Sequence, residues 1–217
     1  LLIPTIISYS TAIQVLGEPQ SHSMIGRWFE DALNANVFNT KTGKGIDLFR
    51  SKNDFKPNNN KFGCFQSAQN HSLNSGFLYM AYAIIWGDLE KFSVGWEQLK
   101  YTLQSVKSDG ALACEVTRGP NSLYYSGATI HTMLQIIHLI HLQNINYDDL
   151  INLEPLHSAV AFQIDAGLNP KKLEKYTKRF SENYWCKPYK EISGQCMYER
   201  PKRNTSFGWI QLYIKLF

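Results

Sequence analysis

Two stretches of the chain are apolar on nearly every side, and they limit the fold more than any other feature. They are 74–86, which reads NSGFLYMAYAIIW, and 128–143. A helix that is hydrophobic all round has to be buried by its neighbours. The stretch 88–110 instead carries apolar residues at intervals of three and four, as an amphipathic surface helix does. Alternation of the two kinds predicts an inner and an outer layer of helices.

The rest of the chain fits the same all-α plan of five to seven helices with hardly any strand. The length of 217 residues suits one domain spanning 1–217. Further helices are expected over 5–16, after Pro19, and from about residue 148 to a break at Gly167 and Pro170. We expect Gly110 to end the 88–110 helix, and Ser72 or Asn74 to cap the 74–86 helix.

Two segments are less regular. The polar insert 38–62 is predicted to be a long loop, and the end of the chain, 205–217, a short strand or helix. The first sixteen residues read as a core helix that lacks its beginning, so the sequence is compatible with a chain truncated at its N-terminus. Pro4 and several polar residues interrupt this segment, so no membrane span is expected.

Charge gives a weak indication of the partner. Lysine and arginine number 22 against 18 acidic residues, a formal net charge of +4. This excess favours an acidic partner, and acidic polysaccharide or nucleic acid would both suit it. No run of five or more basic residues occurs, so a nucleic-acid-binding tail is not indicated.

Cysteine and histidine spacings argue against a metal site. The four cysteines match no zinc pattern; Cys186 and Cys196 could form a disulfide, and free buried thiols are the alternative. His138 and His141 share a helix face, but no carboxylate or cysteine accompanies them, so packing is the better interpretation.

Two polar groups precede the apolar stretches. Asn70 and His71 lie at the entry to the first, and Arg118 stands seven residues before Tyr125 at the entry to the second. Taken singly, each group is explained by capping or packing. If the intervening helices run antiparallel, however, both groups open on the same end of the helical layer and form one site.

At this point the sequence resembles the helical alginate lyases of polysaccharide lyase family 5. Those enzymes carry an Asn-His step before a buried helix and, about 45 residues later, the pattern DG-x-L-x-x-E-x-x-R-x6-Y. The matching residues here are Asn70, His71, Asp109, Gly110, Leu112, Glu115, Arg118 and Tyr125. The resemblance is best over about 60–145. It departs from the family at Gln69, where a second Asn is usual, and in the few helices that precede the Asn-His step.

The resemblance implies an α/α toroid, here shortened or incomplete, and a mechanism. A lyase of this kind removes the C5 proton of a uronate, so it must neutralise the adjacent carboxylate and stabilise the developing charge. The resemblance assigns this role to Asn70, His71 and Arg118. Tyr125 would take the C5 proton, donate one to the glycosidic oxygen, or do both, and nearby Arg118 would favour its phenolate.

The remaining expectations follow from the same resemblance. Gln69, Tyr124 and Arg203 would bind substrate, the last as part of a basic group with Arg200 and Lys202. We expect a monomeric, periplasmic or secreted lyase that needs no cofactor or metal and binds no nucleic acid or membrane. Its default substrate is mannuronate-rich alginate. The alternatives are a non-catalytic module that binds acidic glycan, an inactive relative, or a purely structural helical scaffold.

Overall fold

The computed structural model describes the following residues: 2–36, 38–39, 44–45, 70–118, 122–146, 150–176 and 209–217. Seven α-helices occur in these ranges: α1 (Leu2–Leu16), α2 (His22–Asn36), α3 (Asn70–Trp86), α4 (Leu89–Gln104), α5 (Ser122–Leu142), α6 (Glu154–Leu168) and α7 (Ile210–Leu216). A 3₁₀ turn, Pro170–Leu173, follows α6. Two antiparallel two-residue strands, β1 (Phe38–Asn39) and β2 (Lys44–Gly45), place Phe38 opposite Gly45.

The all-α prediction is confirmed, and α3 is as deeply buried as its composition requires. One side of α3 faces α4 and α5, where Leu73, Phe77 and Met80 join the largest apolar cluster. Its other side faces α1 and α2, where Leu78 and Tyr82 join a second cluster. Because both sides are covered, the helix needs no polar face.

Helices α3 and α4 form an antiparallel hairpin whose backbones come unusually close. They are joined by Gly87 and Asp88, and the Asp88 side chain accepts a hydrogen bond from the Lys91 N–H at 3.0 Å. Midway along the pair, a Cβ added to Gly95 would lie 2.6 Å from the backbone oxygen of Gly76. Only glycine permits this approach, so the two residues set the spacing and register of the hairpin.

Helix α5 is the second inner helix. Its buried apolar residues, including Ile130, Met133 and Ile137, belong to the same cluster as those of α3. Thr132 links the two inner helices, because its hydroxyl donates to Oδ1 of Asn74 at 2.7 Å. Helix α6 packs on α5, with Leu156, Ala159 and Val160 in the same apolar cluster.

Residues 105–118 connect α4 to the start of the α5 region, and we call them the connector. The connector first folds back on itself: the Lys107 N–H donates to the Ala111 oxygen at 2.9 Å, and the Gly110 N–H donates to the Lys107 oxygen at 2.8 Å. Gly110 has a φ of +87°, and a Cβ there would lie 2.1 Å from the backbone oxygen of Ser158 on α6. The turn therefore packs backbone against backbone on α6.

Asp109 anchors the same turn to the segment after α6. Its Oδ2 accepts a hydrogen bond from the Tyr176 hydroxyl at 2.6 Å and from the Lys175 ammonium. Burial acts to raise the pKa of Asp109, but the hydrogen bonds from Lys175 and Tyr176 outweigh it and lower the pKa. Asp109 is thus held as a carboxylate, and the connector is attached to the protein at its first half.

Several predicted boundaries were wrong. Helix α4 ends at Gln104 rather than at Gly110, because Ser105 turns back to bond the Thr102 oxygen at 2.7 Å and the chain enters the connector. Helix α6 begins at Glu154 rather than near residue 148, with a proline in its first turn, a position that proline favours. The described part of the C-terminal stretch is helical from Ile210 to Leu216. Most of the predicted loop 38–62 lies outside the described residues.

Gly110→Ala should lower the free energy of unfolding much more than Gly87→Ala. Both glycines have positive φ, but Gly87 has open space where a Cβ would be added, whereas Gly110 meets the Ser158 backbone. We expect about 1 kcal/mol from the backbone conformation alone at Gly87, and at least about 2 kcal/mol more at Gly110. Urea denaturation of both variants measures the difference. Equal losses would show that the connector turn can move away from α6.

Candidate active site

Arg118 is the residue around which the predicted polar groups gather. Its Nε lies 2.6 Å from Oε2 of Glu115. Its Nη2 donates a hydrogen bond to Oδ1 of Asn70 at 3.3 Å. Its Cζ lies 4.3 Å from the centroid of the Tyr125 ring, a cation–π contact. The guanidinium thus joins the connector to the first turns of both inner helices.

Glu115 is the most deeply buried member of this group, with an exposed fraction of 0%. Its Oε1 accepts a hydrogen bond from the backbone N–H of Asn70, the first residue of α3, at 2.9 Å. The first N–H groups of a helix have no partner within the helix, and they attract negative charge. A carboxylate 45 residues away therefore caps α3.

The contact between Glu115 Oε2 and Arg118 is an ion pair whose N–H is not well aligned with the oxygen. At this distance the opposite charges attract each other whatever the direction of the N–H, so the oxygen is paired by charge. Burial raises the pKa of Glu115, while the Asn70 N–H and the positive charges of Arg118 and His71 oppose the rise. Ionising the Glu115 carboxylate therefore costs free energy, because the buried charge has lost its hydration and its partners offset only part of that loss.

The first turn of α5 brings the tyrosines to the site. The Ser122 hydroxyl donates to the Val116 oxygen at 3.0 Å and ties the helix start to the connector. Tyr125 is half-buried beneath Arg118, and Tyr124 is 36% exposed beside it. The two rings meet edge to face with centroids 5.3 Å apart. One tyrosine thus lies in the cluster, and the other forms its exposed rim.

The structure brings together Asn70, Arg118 and Tyr125 from the predicted set, with His71 exposed on the first turn of α3 and Tyr124 at the edge. Gln69 and Arg203 lie outside the described residues, as do Cys186 and Cys196. Asn70 and His71 lie inside α3 rather than before it, so the predicted caps at Ser72 and Asn74 were wrong.

Glu115 was part of the recognised pattern, but sequence reasoning gave it no role. A glutamate three residues before an arginine normally indicates a solvent-exposed ion pair. Its burial and its contact with α3 depend on how distant parts of the chain meet. The sequence did contain one indication of burial: Glu115 stands in the apolar run ALACEV, where a solvent-exposed carboxylate would be unusual.

A separate groove of about 500 Å³ contains none of these residues. It lies among the connector, α6 and the 3₁₀ turn, and its charged lining comprises Asp109, Asp165, Lys171, Lys172 and Lys175. Lys172 is paired with Asp165, and Lys175 with Asp109. Because these carboxylates already neutralise two of its three lysines, the groove is a poorer site for an acidic ligand than the Arg118 cluster.

Within the described residues, no three His, Cys, Asp or Glu side chains are grouped so as to hold a metal ion. Cys114, directly before Glu115, is disulfide-bonded, so the free-thiol alternative was wrong for this cysteine. None of the described helices is both long enough and apolar enough to cross a membrane.

Comparison with known families accounts for this arrangement. The sequence model described as Alginate lyase matches residues 60–173, more than half of the chain. The chain belongs to the alginate lyase family. No curated protein matches it. The alginate lyase family consists of polysaccharide lyases that act on acidic polysaccharides, and the matched region contains every residue of the Arg118 cluster.

In this alginate lyase family member, Glu115→Gln should make the free energy of unfolding less dependent on pH. Because burial raises the pKa of Glu115 in the folded state above its ordinary value of 4.5, the folded chain holds the proton more tightly than the unfolded chain. The contribution of Glu115 to the free energy of unfolding is therefore complete below its ordinary pKa. It is lost as the pH rises through the raised pKa of the folded state.

The measurement is the free energy of unfolding of wild type and variant by urea denaturation, at steps from about pH 4 to about pH 8. We expect the wild-type value to fall relative to that of Glu115→Gln as the pH increases. A difference that stays constant, or grows with pH, would contradict the raised pKa.

Proposed function

We propose that the protein cleaves an acidic polyuronate by β-elimination, with mannuronate-rich alginate as the preferred substrate. Family membership supports the class of reaction, and the alginate preference follows the family's usual substrate. The observation that carries the residue assignment is the meeting of Asn70, Arg118 and Tyr125, which come from three separate segments. These residue types supply what the reaction needs at one place.

The first requirement is neutralisation of the substrate carboxylate next to C5. Arg118 brings a permanent positive charge. A guanidinium can only donate hydrogen bonds, so the Asn70 atom that faces it is Oδ1, and the Nδ2 amino group is left to donate elsewhere. Arg118 and Asn70 Nδ2 would both bind the uronate carboxylate, and the exposed ring of His71 would add a third donor.

The second requirement is proton transfer. We assign it to Tyr125, whose ring lies under the Arg118 guanidinium that would bind the substrate carboxylate. The phenolate oxygen takes the C5 proton, and the electrons of the C5–H bond form the C4–C5 double bond. The C4–O4 bond breaks as this double bond forms, and the leaving oxygen receives from the Tyr125 hydroxyl the proton that was taken from C5. No metal takes part in this scheme.

Substrate binding beyond the reacting sugar is assigned to Gln69, Tyr124 and Arg203. Tyr124 supports this role by its exposed ring beside Tyr125. Gln69 and Arg203 stay predictions. We further propose that the helices belong to an α/α toroid, and that the protein is an exported monomer. The disulfide at Cys114 supports export, because disulfides persist in oxidising compartments.

Tyr125→Phe should abolish cleavage without unfolding the protein. The test incubates the protein with a panel of polyuronates and follows the ultraviolet absorbance of the unsaturated product. Loss of an acid–base group costs about 10²-fold to 10⁴-fold in rate. The matched control is Tyr9→Phe, which removes a hydroxyl that contacts His22 at 2.7 Å on the α1–α2 side of the protein, and it should leave the rate unchanged.

The outcomes separate the functions. Product from one polymer with wild type, and none with Tyr125→Phe, would support the proposal and identify the substrate. A Phe variant as active as wild type would remove Tyr125 from the mechanism. A folded wild-type protein that binds polyuronate without forming product would instead be a glycan-binding module.

A further inference from the structure

We propose that Glu115 is the positioning residue of the active site: it holds Asn70 and Arg118 in the orientation that receives the substrate carboxylate. This inference rests on the proposed function. It adds a residue that touches no substrate and acts through two that do.

The geometry is a closed ring of three residues. Glu115 contacts Asn70 through Oε1 at 2.9 Å and Arg118 through Oε2 at 2.6 Å, and Arg118 contacts Asn70 at 3.3 Å. Glu115 holds Asn70 by its backbone N–H and Arg118 by its Nε, and Arg118 in turn holds the Asn70 side chain by its Oδ1. A long arginine side chain that is already fixed loses less conformational freedom when substrate binds.

The contacts among Glu115, Asn70 and Arg118 also determine which edge of the Arg118 guanidinium is left free to bind a ligand. Glu115 occupies Nε and Asn70 occupies Nη2, while the face of the guanidinium lies on the Tyr125 ring. Nη1 makes no hydrogen bond to any other described residue, and the side chain is 26% exposed. A carboxylate arriving from solvent would therefore meet Nη1.

Stability alone is a poor explanation of a carboxylate at this position. A buried ion pair often contributes less than apolar residues of similar volume would, because both charges lose their hydration. Here Glu115 is fully buried and burial raises its pKa, whereas Arg118 keeps contact with solvent. The groups that face Glu115 are Arg118 from the connector and Asn70 and His71 from α3, and all three are assigned to the substrate site.

The experiment compares Glu115→Gln and Glu115→Asp with Glu97→Gln. Glutamine keeps an acceptor for the Asn70 N–H but loses the charge, and aspartate keeps the charge but is shorter by one methylene group. Glu97 provides the matched control, since it pairs with Lys100 three residues later, as Glu115 does with Arg118, but on the surface of α4. Thermal denaturation confirms that each variant is folded.

We expect both Glu115 variants to lose about tenfold to hundredfold in kcat with little change in KM, since misplacement of about 1 Å costs about that much. Glu97→Gln should match wild type. In a double-mutant cycle with Arg118→Ala, adding Glu115→Gln should cause no further loss, because the positioning residue acts through the arginine. Full additivity of the two losses would overturn the inference.

A second readout does not depend on catalysis. In the ¹⁵N spectrum, the Nε–H of Arg118 should exchange slowly with water in wild type, because the fully buried Glu115 carboxylate lies 2.6 Å from Nε and keeps water from that side, and the slow signal should be lost in Glu115→Gln. An unchanged signal, or its loss with normal kcat, would overturn the positioning role. A wild-type protein that cleaves no polyuronate would overturn the proposed function, and with it the role of Glu115 in that reaction.

Discussion

A single desolvated carboxylate organises this part of the protein. Glu115 has no access to solvent, so it must be neutralised from within, and its two oxygens draw on different elements. One caps the start of α3 and the other fixes Arg118. Without this carboxylate, the first N–H of α3 would lack its partner, and Arg118 would lose the group that holds it beside Tyr125. Helix geometry and site chemistry therefore share one interaction.

The connector can deliver that carboxylate because it is fastened along its length. Asp109 attaches its first turn to Tyr176, Gly110 rests against the α6 backbone, and Ser122 attaches its far side to α5. Its apolar residues Ala111 and Val116 are buried between these attachments. A segment without regular secondary structure is thus fixed at several points along its length, which suits residues that must be placed with precision.

The sequence was informative where local pattern decides the structure and misleading where distant contacts do. The apolar stretch 74–86 predicted a buried helix correctly, because burial on all sides leaves a local signature. The start of α3 at Asn70 could not be predicted in this way, since its cap, Glu115, lies 45 residues away. The same holds for α4, where Gly110 resembled a helix stop but serves a turn against α6.

In the candidate site, too, local pattern predicted some features, and contacts between distant parts of the chain decided others. Residue types and spacing were enough to associate Asn70 with Arg118, and the two are in contact. The role of Glu115 required knowledge of its burial, which depends on the packing of α3, α5 and the connector. A charged pair three residues apart is common on protein surfaces, and nothing in its spacing distinguishes the few that are buried.

The glycine contact between α3 and α4 has a mechanical consequence. With Gly76 and Gly95 in backbone contact, the two helices cannot slide past each other, so α3 behaves as a rigid rod about 25 Å long. Asn70 is at one end of this rod, and Trp86 is at the other, stacked on Tyr9 with ring centroids 5.7 Å apart. Any axial shift of Asn70 would therefore have to move the α3–α4 pair as one unit, and the Trp86 indole at the far end would report it through its fluorescence.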